Sequence, residues 1–375
     1  MTTQASSKSS VQTEKSKSRL VLPIVAVLLV LAVGIFLASI TRVVSVSGKG
    51  ELFVLKPNQI RMGILIIDED AAAILHEKSH WIGPIISKEG ALTVEDDVTI
   101  TGPVLLFSDD LRLGENATVD GSVYLFSGGL TLEPGARIGH NAVLFAGGLT
   151  LEPGARIGGN AVLFAGGLSL EQEASIRGDF ILFAGGAELG QKAILRGDAV
   201  LFAGDMRIGG EATTYGKLIL FSGGLELAPN AVLRDDAILF FGDVHLYPAA
   251  RIRGDLIATE GDVRLDGRST ISGRLYLNPK SDSGRGRVFK SSEAQITRGV
   301  VKPENVESVA GWRMGGWVVG DLFTFVLLPV VVLGLLMALM FFLGRRTRSL
   351  KSRDEVKARY AESSPQPTTP GLRSS

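Results

Sequence analysis

The sequence predicts an all-β protein, a three-sided parallel β-solenoid of 19-residue coils, bracketed by two transmembrane helices. Three observations carry this. Eight phenylalanines, Phe107, Phe126, Phe145, Phe164, Phe183, Phe202, Phe221 and Phe240, stand 19 residues apart without a slip. A fixed short period marks a stack of one repeated unit. Apolar pairs spaced i, i+2 recur inside the period; around Phe164 they are Leu168 and Leu170, Ala174 and Ile176, Phe180 and Leu182. Members of such a pair share one face of a short strand, and starts six, six and seven residues apart close a three-sided turn. Finally, 46 of the 375 residues are glycine. Sixteen of them fall in two columns, one running from Gly102 to Gly273 and one from Gly128 to Gly261. Glycine permits the positive φ or close backbone approach that corners need, whereas glycine pairs in every repeat would break a helical repeat protein.

The elements follow in chain order. Residues 1–19 form a basic tail, with Lys8, Lys15, Lys17 and Arg19 against Glu14, and its Ser/Thr-rich composition predicts disorder. Residues 20–40 carry no charge and are long enough to cross a bilayer as a helix. The run exceeds the apolar core of a signal peptide, and Phe36-Leu37-Ala38-Ser39 is a poor cleavage site, which favours an uncleaved anchor. Residues 41–82 are a lead-in. A frayed coil starts near Trp81, with Leu92 and Val94 already in the apolar columns. Residues 83–278 are the solenoid; the first glycine column implies about ten coils, a rod roughly 45–50 Å long with a core ample for one domain. A polar linker, residues 279–321, leads to a second uncharged stretch at 322–343, which holds Pro329 and Gly334. Residues 344–375 are a second basic, disordered tail with Arg345, Arg346, Arg348, Lys351, Arg353, Lys357 and Arg359.

Both basic tails read as cytoplasmic by the positive-inside rule, which puts the solenoid outside the cytoplasm and the protein in the plasma (inner) membrane. A cytoplasmic solenoid is the alternative, since Lys49, Lys56, Arg61, Arg298, Lys302 and Arg313 also flank the membrane. The chain is neutral, with 39 basic and 39 acidic residues, but residues 86–278 hold 15 Lys and Arg against 25 Asp and Glu. An acidic rod argues against nucleic acid, and basic tails suit anionic lipid headgroups. The absence of cysteine removes disulfides and thiol catalysis.

One face of the prism is apolar on both sides. Strict alternation points Leu144, Leu163, Leu182, Leu201 and Leu220 inward. It points Val143, Val162, Ile181, Val200 and Ile219, together with the Phe column, outward. Apolar runs on both sides of a sheet normally mean that both sides are covered. A second rod, lipid, or the chain's own residues 43–80 and 280–316 are the candidate covers. The other arrangement bends the strand at Phe and stacks the rings in a corner, and a one-residue shift of register would exchange the columns. Arg177-Gly178-Asp179, Arg196-Gly197-Asp198 and Arg253-Gly254-Asp255 look like an adhesion tripeptide but occupy one corner of different coils. Asn116-Ala117-Thr118 fits a glycosylation sequon, a weak three-residue match.

The repeat G-D-x-x-L-F-A-G-G-x-x-L-x-x-x-A-x-I-x-G, over residues 83–278, resembles bactofilins, a polymer-forming bacterial and archaeal cytoskeletal family. The resemblance implies a right-handed three-sided β-solenoid that polymerises end to end without nucleotide, commonly at the membrane. It also implies a scaffold role in cell shape or envelope organisation, with self as the main partner and no cofactor. Two membrane helices around the repeat depart from the usual cytoplasmic form. Open solenoid edges recruit further strands, and the coils at Trp81 and at Leu275 and Leu277 are the expected stacking ends.

Two other readings stand beside it. Ile157-Gly158-Gly159-Asn160-Ala161-Val162 is similar to the hexapeptide repeat of left-handed β-helix acyltransferases. Those place a catalytic or metal-binding histidine between subunits, whereas this chain has His76, His80, His140 and His245 only. His76 and His80 are spaced to pair on a helix but lack a third ligand, and the coil closes at 19 rather than 18. The sequence therefore reads as a non-enzyme without catalytic or metal site. The remaining alternative is a monomeric extracytoplasmic rod that binds polysaccharide or an envelope protein.

Overall fold

The computed structural model describes residues 43–278, 286–303 and 309. Within them the chain winds through three sheets in rotation, 14 strands in the first and 13 in each of the others. Each strand pairs in parallel with the strand three elements on. The result is a parallel β-solenoid of about 12 turns. In the coil around Phe164 the three strands are Ala161–Ala165, Leu168–Leu170 and Ser175–Ile176.

Alternation within these short strands builds the core. Leu168, Leu170, Ala174, Ile176, Phe180 and Leu182 are all buried members of one continuous apolar cluster, and Leu92 and Val94 belong to it as well. Each such side chain lies between apolar residues at the same position one coil above and one below, as Phe180 does between Ala161 and Ala199, so the core is filled by columns. A column makes each coil's burial depend on its neighbours, the physical basis of repeat-protein cooperativity.

The two glycine columns answer different needs. Gly185 has φ +134°, and a Cβ there would lie 2.0 Å from the carbonyl oxygen of Gly166 in the preceding coil. Gly178 does not show that positive φ, yet its Cβ would meet Gly159 backbone atoms at 2.5–2.6 Å. Gly185 thus needs both conformational freedom and space, Gly178 space alone. A third corner shows no glycine column in the sequence. Asn116, Glu173, Lys192, Glu211, Asn230 and Ala249 all adopt left-handed backbone there, at φ 55–63°.

The stack is longer than the 19-residue period implies. Val43–Val46, Leu52–Leu55 and Ile60–Met62 form a first coil and Ile64–Ile67, Ala72–Leu75 and His80–Ile82 a second, so the lead-in is part of the solenoid. Its register advances by 21 residues from Val43 to Ile64 and by 20 from Leu65 to Ile85, which hides it from a search at fixed period. At the other end, Leu275 pairs with Val300 across a 25-residue step. The linker therefore contributes Val288–Lys290, Gln295–Ile296 and Val300–Val301 as a last coil. Among the described residues no helix is long and apolar enough to cross a membrane. The two expected spans, residues 20–40 and 322–343, lie outside the described residues.

Candidate assembly interfaces

The first sheet carries the face that is apolar on both sides. Val162, Ile181, Ile219 and Ile238 are 0–2% exposed, yet none belongs to the core cluster formed by their inward neighbours Leu163, Leu182, Leu220 and Leu239. They form an outward column. Leu105 and Tyr124, earlier in the same column, are only half-buried. The Phe column flanks it on one side. Its eight rings stack with centroids 4.7–5.1 Å apart and planes within 9° of parallel. The rings are half-buried, so the outward placement and the ring stack hold together. Residues 43–82 and 288–301 are coils of the rod itself and do not lie across this face as a cover.

On the other flank runs a polar ladder that ties coil to coil. The Oδ1 atom of Asn160 accepts the backbone N–H of Asp179 at 2.8 Å, Asp179 accepts that of Asp198, and Asp198 accepts that of Lys217 at 2.7 Å. Asp236 and Asp255 continue the pattern. Burial pushes the Asp198 carboxyl up, reinforced by Asp179 and Asp235 and opposed by the Lys217 N–H and charge. The Arg-Gly-Asp tripeptides sit on this ladder. Their glycines pack against the coil below, and Asp179, Asp198 and Asp255 bond to backbone of the coil above. That is corner architecture.

The ends differ from expectation. Trp81 is fully buried, with its ring edge-on to Phe53 at 5.8 Å, and a complete coil lies beyond it. Leu275 and Leu277 are also fully buried, because the last coil covers them. None of the three is an end residue; the irregular spacing of the outermost coils concealed the true ends. Among the described residues nothing stacks on the outermost coils, although Val46 and Leu55 of the first coil are buried. The partly buried side chains packed against the core are Val44 and Phe53 in the first coil and Val288 and Ile296 in the last. Val300, in the Leu275 column, is 46% exposed. Val43, Leu52, Ile60 and Met62 add exposed apolar surface around the first coil.

Each end also holds one cation in a core column. Arg61 stands in the column of Trp81, 5.8 Å from the Phe53 ring, and Lys290 stands in the column of Leu265. The last coil thus carries a charge in a core column. That coil is pinned to the rod by Arg287, whose Nη2 donates to Asp262 Oδ2 at 2.6 Å and holds that carboxyl below its usual range.

The histidines are dispersed. His76 and His80 flank a turn rather than share a helix; His76 pairs with Glu95 at 2.9 Å and His80 with Thr101 at 2.8 Å. His140 contacts the backbone oxygen of Asp120, and His245 pairs with Asp266 while stacking on Tyr247. Among the described residues no group of three or more His, Cys, Asp or Glu could hold a metal ion. Compared with known protein families, curated proteins and solved structures, the chain matches none.

Proposed function

We propose that this protein is a membrane-anchored structural scaffold whose rods polymerise end to end, in the manner of the bactofilins its repeat resembles, and organise the cell envelope or cell shape. The supporting observation is the pair of end faces. Stacking the first coil of one rod on the last coil of another continues all three sheets and sets Val44 against Val300 and Phe53 against Val288. Terminal strand edges that have no partner among the described residues would supply the backbone hydrogen bonds. Arg61 and Lys290 fall in different columns, so the join opposes no like charges, and both side chains are long enough to reach solvent.

The two uncharged segments at 20–40 and 322–343 would hold the rods along the inner membrane, with the basic tails on anionic lipid and the solenoid outside the cytoplasm. The half-buried Phe column offers a lateral contact that matters less than the ends. Negative-stain imaging of the full-length chain tests the reading. Filaments with a continuous axial repeat support it, and single rods at all concentrations sink it.

A further inference from the structure

We propose that the corner between the third and first sheets is a binding site for a linear acidic glycan, a sugar polymer that carries carboxylates at regular intervals. Arg177, Arg196, Tyr215, Arg234 and Arg253 occupy one 19-residue column there, and all five are exposed. Four coil steps separate the first from the last, a straight file roughly 19 Å long. Arg137 and Arg156, exposed on the adjoining strands Arg137–Ile138 and Arg156–Ile157, prolong the basic surface towards the amino-terminal coils. The file is a row of cations on a rod whose residues 86–278 are acidic.

The four arginines of the file differ from those of the second sheet. None of the four forms an ion pair among the described residues, in contrast to Arg112, Arg207 and Arg264 on the second sheet, which pair with Glu133, Glu226 and Asp266. The acids beside the file are turned elsewhere, since Asp179, Asp198, Asp236 and Asp255 each give one oxygen to a backbone N–H of the next coil. Asp235 bonds the N–H of Asp236 in the same way. What separates the cations is Tyr215, whose ring lies 5.7 Å from the Arg196 guanidinium and 4.3 Å from that of Arg234.

A row of guanidinium groups at coil spacing, outside ion pairs among the described residues, suits a ligand with its own linear charge repeat, because each fork binds a carboxylate bidentately and the contacts add along one chain. Single-stranded nucleic acid fits less well. It binds through aromatic platforms, and the single aromatic ring here is flanked by arginines on two sides. A flat anionic bilayer would meet only a single line of these cations along one corner. The site does not depend on whether rods assemble, so filament formation scored in the same samples separates the two ideas.

The test uses the full-length chain in non-ionic detergent and a fluorescent polyuronate, read by anisotropy. The parent binds the polyuronate, binding weakens as salt rises, and neutral dextran does not compete. Arg196→Gln with Arg234→Gln lowers affinity by about tenfold or more, while Arg207→Gln with Arg264→Gln, an equal change of charge on the second sheet, leaves it within about twofold. The proposal is overturned if the parent does not bind, or if both double variants lose affinity equally. It is also overturned if oligothymidylate or phosphatidylglycerol-doped micelles displace the label at lower charge concentration than unlabelled polyuronate.

Discussion

Phe183 lies between Phe164 and Phe202, with ring centroids 4.9 and 4.8 Å away, whereas Phe107 begins the stack and has one ring neighbour, Phe126. Stacked aromatic pairs contribute about 0.5–1.5 kcal/mol each beyond area burial, so Phe183→Ala loses two such terms and Phe107→Ala one. Hydrogen exchange in Phe180–Ala184 and Ala199–Ala203 should report a loss of about 1–3 kcal/mol for Phe183→Ala and about half that in the matching strands for Phe107→Ala. Equal losses would mean that the rings act singly. Asp198 gives a second residue-level test. Its folded-state pKa is raised above the unfolded one, so the ionised form is disfavoured in the fold. That penalty is present above the folded pKa and vanishes below the unfolded value of about 3.9. Asn141 and Asn160 already fill the same column and make the same bond. Asp198→Asn should therefore raise the melting temperature near pH 7 and leave it unchanged near about pH 3; a variant that melts lower near neutrality would contradict this.

At the scale of the coil, one period is the unit of stability. Deletion of residues 149–167 removes one complete turn and leaves every column aligned, because Leu130 and Leu168 then occupy adjacent coils. The protein should stay folded and one coil shorter, with stability changed by roughly one repeat's share. Deletion of nine residues in the same region misaligns all downstream columns and should expose the coils on its carboxyl side to limited proteolysis. Equal tolerance of both deletions would contradict the coil as unit. The coil was also what the sequence displayed most openly. Leu168, Leu170, Ala174, Ile176, Phe180 and Leu182 were readable as inward because i, i+2 spacing has one physical meaning in a strand. The first and last coils escaped notice because steps of 20, 21 and 25 residues carry the same strands without the period. The left-handed corner at Glu173, Lys192 and Glu211 was likewise hidden, since no residue type marks it. The arginine file needed the structure as well. The three Arg-Gly-Asp repeats mark the corner in the sequence, but only geometry shows the aspartates bonded to backbone and the arginines outside ion pairs among the described residues.

For the whole molecule, the account makes a claim about placement and a claim about assembly. Cysteine is absent from the chain, so single cysteines at Ser7, Ser222 and Ser374 can be probed on intact cells with an impermeant thiol reagent. Ser222 is exposed on the rod. The positive-inside reading predicts labelling at Ser222 alone; labelling at both tails but not at Ser222 would place the rod in the cytoplasm. Assembly is the central claim, and the two ends allow it to be driven in opposite directions. Val44→Lys with Phe53→Lys puts charge on the apolar part of one end face, next to Val300 and Val288 of the rod below. Lys290→Leu removes the cation from the core column of the other end. Sedimentation velocity of the full-length parent and both variants across a concentration series is the most direct measurement. The account predicts long polymers for the parent, single rods with unchanged circular dichroism for Val44→Lys with Phe53→Lys, and polymers at lower concentration for Lys290→Leu. Sedimentation of all three as the same species, whether rods or polymers, would contradict end-to-end assembly.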